Sequence, residues 1–157
     1  MEEKGVMGMI RLGIVDDIDT ITTLYKETIG TSSMVKLYMR KNILTNQVYI
    51  KDVDNNIAGA YIYQISKFSN PYTFSKIPYE VFWLEQIMVF KEHQGKGIGK
   101  ELLLHYFNTG LNNNINQFML VCKKELISYY EKFEFKIVET GMQKRHNEEY
   151  YVMKRTN

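Results

Sequence analysis

A disulfide within this chain is excluded at once, because Cys122 is its one cysteine. A lone thiol fits a reducing compartment, and the cytoplasm is the expected location. Cys122 lies in the apolar run Phe118–Cys122, which points to a buried structural thiol rather than a nucleophile. No run of about 18 apolar residues occurs and no signal-peptide layout, so neither a membrane span nor a membrane partner is expected. Charge of one sign is also scarce: 20 Lys and Arg against 18 Asp and Glu leave a net charge of +2. The basic residues are scattered, which argues against a nucleic-acid partner. His93 falls in a turn, solvated, and His105 on a helix surface, with His146 further on. Their spacing matches neither a metal site nor a catalytic triad, and no metal is expected. Both prolines, Pro71 and Pro78, sit in one segment. No linker, repeat or low-complexity tract divides the chain.

What is present is an ordinary globular composition, 45% hydrophobic and 24% charged. At 157 residues the chain reads as one domain, large enough to bury roughly 70% of its unfolded surface. Residues 1–8 read as an N-terminal extension, and the domain is placed over 9–157. Residues 10–15 alternate as a first strand. Asp16 or Asp17 then caps a helix carrying Ile18, Ile21, Leu24, Tyr25 and Ile29 at helical spacing. Met34, Leu37, Tyr38 and Ile43 mark a second helix, and residues 48–53 and 57–65 a hairpin across Asp54-Asn55-Asn56. Gly59, inside the second of these strands, marks a bulge or a close approach.

Residues 66–79 hold both prolines and the aromatics Phe68, Tyr72, Phe74 and Tyr79. A lid or wall beside an acceptor site and an aromatic surface loop packed on the sheet are both open readings. A strand over 80–90 follows, then a helix over 98–108 stopped near Gly110 and Asn112-Asn113-Asn114. A strand over 117–122, a helix over 125–133, and strands over 135–139 and 150–154 complete the order. The last two pair across a polar loop containing Lys144, Arg145 and His146. The sum is a mixed α/β fold.

Chemistry concentrates between Ile87 and Leu104. An apolar strand end (Ile87 to Phe90) meets a polar turn, then Gly95, Gly97 and Gly99, then a helix. Alternate glycines let the backbone adopt conformations closed to other residues and let a ligand approach closely. The helix presents unsatisfied N–H groups and its positive dipole end to that loop, an arrangement suited to a phosphate or diphosphate. Spacing decides which. A dinucleotide fingerprint begun at Gly95 and Gly97 needs a third glycine where Lys100 stands. A Walker A loop needs glycine at Gln94 and Ser or Thr at Glu101. Neither fits. Lys91, Lys96 and Lys100 put positive charge where an anionic cofactor would lie.

The stretch Gln94-Gly95-Lys96-Gly97-Ile98-Gly99, preceded by Val89 and Lys91, resembles the coenzyme A loop Q/R-x-x-G-x-G/A of the GNAT superfamily of acyl-CoA-dependent N-acyltransferases. Lys91 stands where the family's usual Pro would be. A second segment, Val121 to Phe135, resembles the family's other signature through Tyr130-Glu131-Lys132-Phe133 and Phe135, with Glu134 in place of the usual Gly. Its form is most similar to the arylalkylamine acetyltransferase branch. The resemblance implies a GNAT fold: a mixed, mostly antiparallel sheet of about seven strands, flanked by about four helices, whose middle strands splay apart. It implies acetyl-CoA as cosubstrate, with main-chain groups of Ile87, Met88 and Val89 along the pantetheine. Main-chain N–H groups from Gln94 to Lys100 (Gln94, Gly95, Lys96, Gly97, Ile98, Gly99, Lys100) would hold its diphosphate. Lys123 stands where many members carry an Asn near the pantetheine arm and joins Tyr130 in the cofactor-contacting set.

The implied reaction is attack of an amine on a thioester carbonyl, without a covalent enzyme intermediate. The amine must lose a proton, the oxyanion needs a donor, and the departing thiolate takes a proton. Tyr130 matches the family tyrosine whose hydroxyl serves the sulfur, and a phenol keeps its proton at neutral pH. Glu85 is the candidate base: strand alternation puts it on one face with Ile87 and Val89. The arylalkylamine branch carries a histidine there, and the family elsewhere uses Glu; Glu80 with a water chain is the alternative. The acceptor is a primary amine, a small molecule being favoured by the aromatic segment 66–79. A protein N-terminal or lysine acetyltransferase is the rival enzyme. A non-catalytic acyl-CoA-binding module is the rival from another class. Dimers are frequent in this family, so a homodimer is compatible with the resemblance.

Overall fold

The computed structural model describes residues 9–68, 79–138, 143–145 and 148–157. The expected N-terminal extension and most of the segment proposed as lid or wall lie outside them. Among the described residues, those through Ile62 together with Gln86–Tyr106 form one compact unit, and Tyr63–Glu85 with Phe107–Asn157 form another. No helix among the described residues is long and apolar enough to cross a membrane.

The strands are β1 (Ile10–Leu12), β2 (Val48–Val53), β3 (Asn56–Phe68), β4 (Tyr79–Val89), β5 (Gln117–Lys123), β6 (Lys136–Ile137), β7 (Gln143–Arg145) and β8 (Glu148–Thr156). Hydrogen-bonded neighbours run β1-β2-β3-β4-β5-β8-β6, with β7 on β8. The ladders with described registers are antiparallel except β4 with β5, which are parallel. Their registered pairs run from Phe82↔Phe118 to Leu84↔Leu120 and stop there, although β4 continues to Val89 and β5 to Lys123. The helices are α1 (Ile18–Thr28), α2 (Val35–Leu44), α3 (Ile98–Asn112) and α4 (Ile127–Glu131). This is the mixed, largely antiparallel sheet with four helices that the sequence pattern implies. The extra strand is β7, which takes up Lys144 and Arg145 from the expected polar loop.

In the first unit the apolar faces of α1 and α2 meet one face of the sheet. Ile21, Leu24, Val35, Met39 and Ile43 close over Val48, Ile50, Ala60, Ile62, Met88 and Phe90. Asp17 does not cap α1 through its side chain. Its carboxylate accepts the Ile14 N–H at 2.8 Å and the Arg11 guanidinium at 2.8 and 3.1 Å. Arg11 also donates to Asp52 at 2.6 Å, so the guanidinium ties β1 to the start of the α1 segment and to β2. Two donors that near are a better use of this carboxylate than one orphan helix N–H.

Gly59 does both things its sequence position allowed. The β2–β3 register slips between Lys51↔Gly59 and Asp52↔Ile57, leaving Ala58 as the extra bulge residue, and the Ala58 carbonyl accepts the Phe90 N–H at 2.9 Å. A Cβ on Gly59 would stand 2.7 Å from the Met88 carbonyl oxygen. That oxygen is backbone and cannot step aside, so glycine is required for β3 to lie this near the end of β4.

In the second unit the core is aromatic. Phe118 meets Phe82 and Phe107 edge-on at 6.1 and 5.2 Å, and Phe135 lies 5.8 Å from Phe107 and 5.9 Å from Tyr130. The helix expected over 98–108 runs on through Gly110 and ends at Asn112, within the expected stop signal. Gly110 is there for contact, since a Cβ would sit 2.4 Å from the Phe118 ring. The stop comes at Asn114, at φ 59°, with Ile115 N–H bonded to Gly110 O and Asn114 N–H to Leu111 O. These are the paired bonds of a Schellman end.

The same pattern closes α4. Phe135 N–H donates to Tyr130 O and Glu134 N–H to Glu131 O, with Glu134 at φ 67°. The turn that a glycine would normally make is thus kept by a glutamate in the left-handed region. Such a conformation costs a residue with a Cβ on the order of 1 kcal/mol, and the 3.6 Å approach of Arg155 to the exposed Glu134 carboxylate offsets little of it. Glu134→Gly is therefore expected to stabilise the protein by about 0.5–1 kcal/mol, net of the greater freedom of an unfolded glycine. A rise of about 1–4 °C in melting temperature would register it; a fall would show that the carboxylate matters more than the backbone.

Candidate active site

The glycine loop grows out of β4. After Phe90 a short 3-10 turn, Lys91–His93, reverses the chain, with His93 N–H bonded to Phe90 O at 2.8 Å and Gln94 N–H to Lys91 O at 3.2 Å. The Gln94 side-chain amide then donates back to the Val89 carbonyl at 3.0 Å. Gln94 is thus a latch between strand end and loop. Its main-chain N–H is hydrogen-bonded within the turn, to the Lys91 carbonyl. His93, expected in solvent, is half-buried, and its Nδ1 is enclosed without a hydrogen-bond partner among the described residues.

Beyond the latch, Gly95 and Gly97 take φ values of 75° and 81°, which L-residues with side chains rarely adopt. Nothing lies within 4 Å of where a Cβ would be on either, so the loop is open on that side. The first main-chain bond into α3 is Glu101 N–H to Gly97 O at 3.0 Å. Among the described residues, the consecutive N–H groups from Gly95 to Lys100 donate to no main-chain carbonyl. Lys91, Lys96 and Lys100 are all exposed around them. A run of free amides at a helix start, with exposed lysines close by in sequence, is an arrangement suited to a multiply charged anion. Ile87, Met88 and Val89 form the end of β4 that leads into it.

The other residues singled out from the sequence belong to the second unit. Tyr130 is 6% exposed on α4. Burial first, then the neighbouring Cys122 and Tyr129, pushes its phenol well above the usual range, so it stays protonated wherever the protein is folded. Its hydroxyl makes no hydrogen bond to another described residue. Tyr129 lies edge-on at 5.2 Å and packs on Phe133 at 5.3 Å, a structural role. Cys122 is buried, with its Sγ 3.6 Å from the Met153 sulfur. Burial raises its thiol to about 11, so it carries no thiolate at neutral pH. Glu85 sits half-buried near the carboxyl end of β4. Lys123 is drawn to Glu148 at 3.1 Å, and that carboxylate, hydrogen-bonded to it, holds the ammonium above its usual range.

A family model described as the acetyltransferase (GNAT) family matches residues 15–135. The chain belongs to the GNAT family. As such it is an acyltransferase, and its fold recurs in solved GNAT structures. Ard1 from Thermoplasma volcanium is 17% identical, with a TM-score of 0.74 over 96% of this chain and 98% of that one. Arabidopsis thaliana Naa50, in complex with the bisubstrate analogue CoA-Ac-MVNAL, is 15% identical, with a TM-score of 0.72 over 97% and 100%. Mosquito arylalkylamine N-acetyltransferase like 5b is 7% identical, with a TM-score of 0.75 over 95% and 99%. At these identities the likeness is one of fold. A search of curated protein sequences returns no match.

The remaining departure of this GNAT protein from the sequence reading concerns His105. It is not on an open helix surface. The Tyr61 hydroxyl and His105 Nδ1 share a 2.8 Å hydrogen bond, and the Tyr49 ring lies 4.7 Å from the imidazole. Burial lowers its basicity. A folded state that resists protonating His105 loses stability as pH falls below about 6.5, where the unfolded chain takes up the proton, and keeps full stability above it. The urea midpoint is expected to drop between pH 7 and 5, and His105→Gln to flatten that slope. An unchanged slope would exonerate the imidazole.

Proposed function

We propose that this protein transfers the acetyl group of acetyl-CoA to a primary amine by direct attack, a small amine being the favoured acceptor. The observation that carries the reading is the row of free amides from Gly95 to Lys100, opened by two left-handed glycines. Acetyl-CoA, when bound, supplies a thioester carbonyl open to a nucleophile. The residues here fit it: the amides and Lys96 and Lys100 hold the diphosphate, and Ile87, Met88 and Val89 offer main-chain groups to the pantetheine. In the exchange, the amine nitrogen gains the acetyl carbon and loses a proton, while the sulfur leaves and gains one. Glu85 is assigned the proton from the amine. Tyr130, kept neutral by burial, is assigned the proton given to the sulfur from its phenolic oxygen. Lys123, committed to Glu148, is a weaker candidate for the cofactor arm.

The experiment is thiol release from acetyl-CoA across pooled small amines and short peptides. Turnover with free amines supports the reading. Turnover with peptides alone would move the protein to the N-terminal or lysine acetyltransferases. Calorimetric binding of acetyl-CoA without thiol release in any pool would make it a binding module.

A further inference from the structure

We propose that Lys51 is a positioning residue of the anion cradle, acting through Glu101 by cancelling its negative charge in the first turn of α3. The inference rests on the proposed use of acetyl-CoA. Lys51 lies on β2, two residues from Tyr49, on the sheet face that meets α3. Its side chain is 6% exposed, and its ammonium stands 3.0 Å from Glu101 Oε2. That oxygen is buried and accepts no directed hydrogen bond among the described residues, so the lysine meets it as a point charge.

A lysine this buried is costly unless it is paired, and this pair stands directly behind the cradle. Glu101 N–H closes on Gly97 O, which makes Glu101 the first residue after the free amides. A carboxylate there suits the helix dipole, yet it would repel a diphosphate seated on the same amides. Lys51 reconciles the two requirements from the rear, leaving the exposed face of the loop to the ligand. Gly59, paired with Lys51 across the β2–β3 ladder, would place a Cβ 3.1 Å from Leu102, so the same glycine that admits β4 also lets the first turns of α3 settle onto this strand pair.

The test is calorimetric titration of acetyl-CoA into the wild type, Lys51→Met, Glu101→Gln and the double variant. With Lys51 gone and Glu101 charged, affinity is expected to fall about tenfold. Glu101→Gln alone removes the carboxylate while the Lys51 ammonium stays behind the cradle, and is expected to tighten binding by about threefold. The double variant should return to within about threefold of the wild type. Loss of a packing contact would not produce a tighter single variant or a rescue. A double variant as weak as Lys51→Met, or singles that bind like the wild type, would overturn the inference while leaving the acetyl-CoA reading intact. If Lys51→Met does not fold, Glu101→Gln decides alone: tighter binding supports the inference and unchanged binding overturns it. A wild type that binds no acetyl-CoA removes the reading itself, and this inference with it.

Discussion

Tyr130→Phe is expected to lower turnover by roughly 10²-fold while acetyl-CoA binds as it does to the wild type. The variant removes one oxygen from a ring that is 6% exposed and packed on Phe135 and Tyr129. That oxygen makes no hydrogen bond to another described residue, so the fold loses nothing it uses. What is lost is the proton held on the phenol. Burial holds the phenol well above its usual titration range, so the wild-type donor is fully protonated at working pH. Rates at saturating acetyl-CoA, with a titration of the cofactor alongside, separate the two effects. Wild-type turnover in the variant would remove Tyr130 from the mechanism, and loss of cofactor affinity would recast it as a binding residue.

The second large effect belongs to the loop. Gly97→Val should abolish measurable acetyl-CoA binding, a loss of at least about 10²-fold. The native φ of 81° is a position where a residue with a Cβ is strained by about 1–2 kcal/mol, and β-branching adds to it. Relief of that strain reorients the amides that follow it. Any side chain that tolerates the strain projects into the open side of the loop, where nothing lies within 4 Å. Because that space is empty of protein, the melting temperature should fall only by a few degrees. Calorimetry and a thermal melt on the same sample distinguish a ruined cradle from a ruined fold. Unchanged affinity would count against the loop assignment.

Much of this was legible from residue order because the loop is local. A strand end, alternate glycines and an amphipathic helix within Ile87 to Leu104 dictate their own geometry, and both φ values came out in the region only glycine enters freely. The four helices and most strands followed from periodicity for the same reason. The departures share a different cause. Gly110 looked like a stop and proved to be a contact with Phe118. Asp17 looked like a cap and proved to be the partner of Arg11. His105 looked like a helix-surface residue and proved to bond Tyr61. Tyr61 lies 44 residues from His105, outside any local window, while Arg11 and Phe118 lie near Asp17 and Gly110 in sequence but on other elements that only folding brings into contact. The Gln94 latch spans only five residues, yet it too was missed, because the motif reading assigned that residue to the ligand.

By itself, then, the order of residues determined the sheet-and-helix pattern, the phosphate-type loop and the family to which the chain belongs, since each depends on neighbours within about one supersecondary unit. Tertiary structure alone decided what balances the charges and which side chains are shielded from water: Lys51 against Glu101, Arg11 between Asp17 and Asp52, and Tyr130 enclosed on α4. Desolvation and charge pairing are properties of a packed environment, and no residue carries its environment in its name.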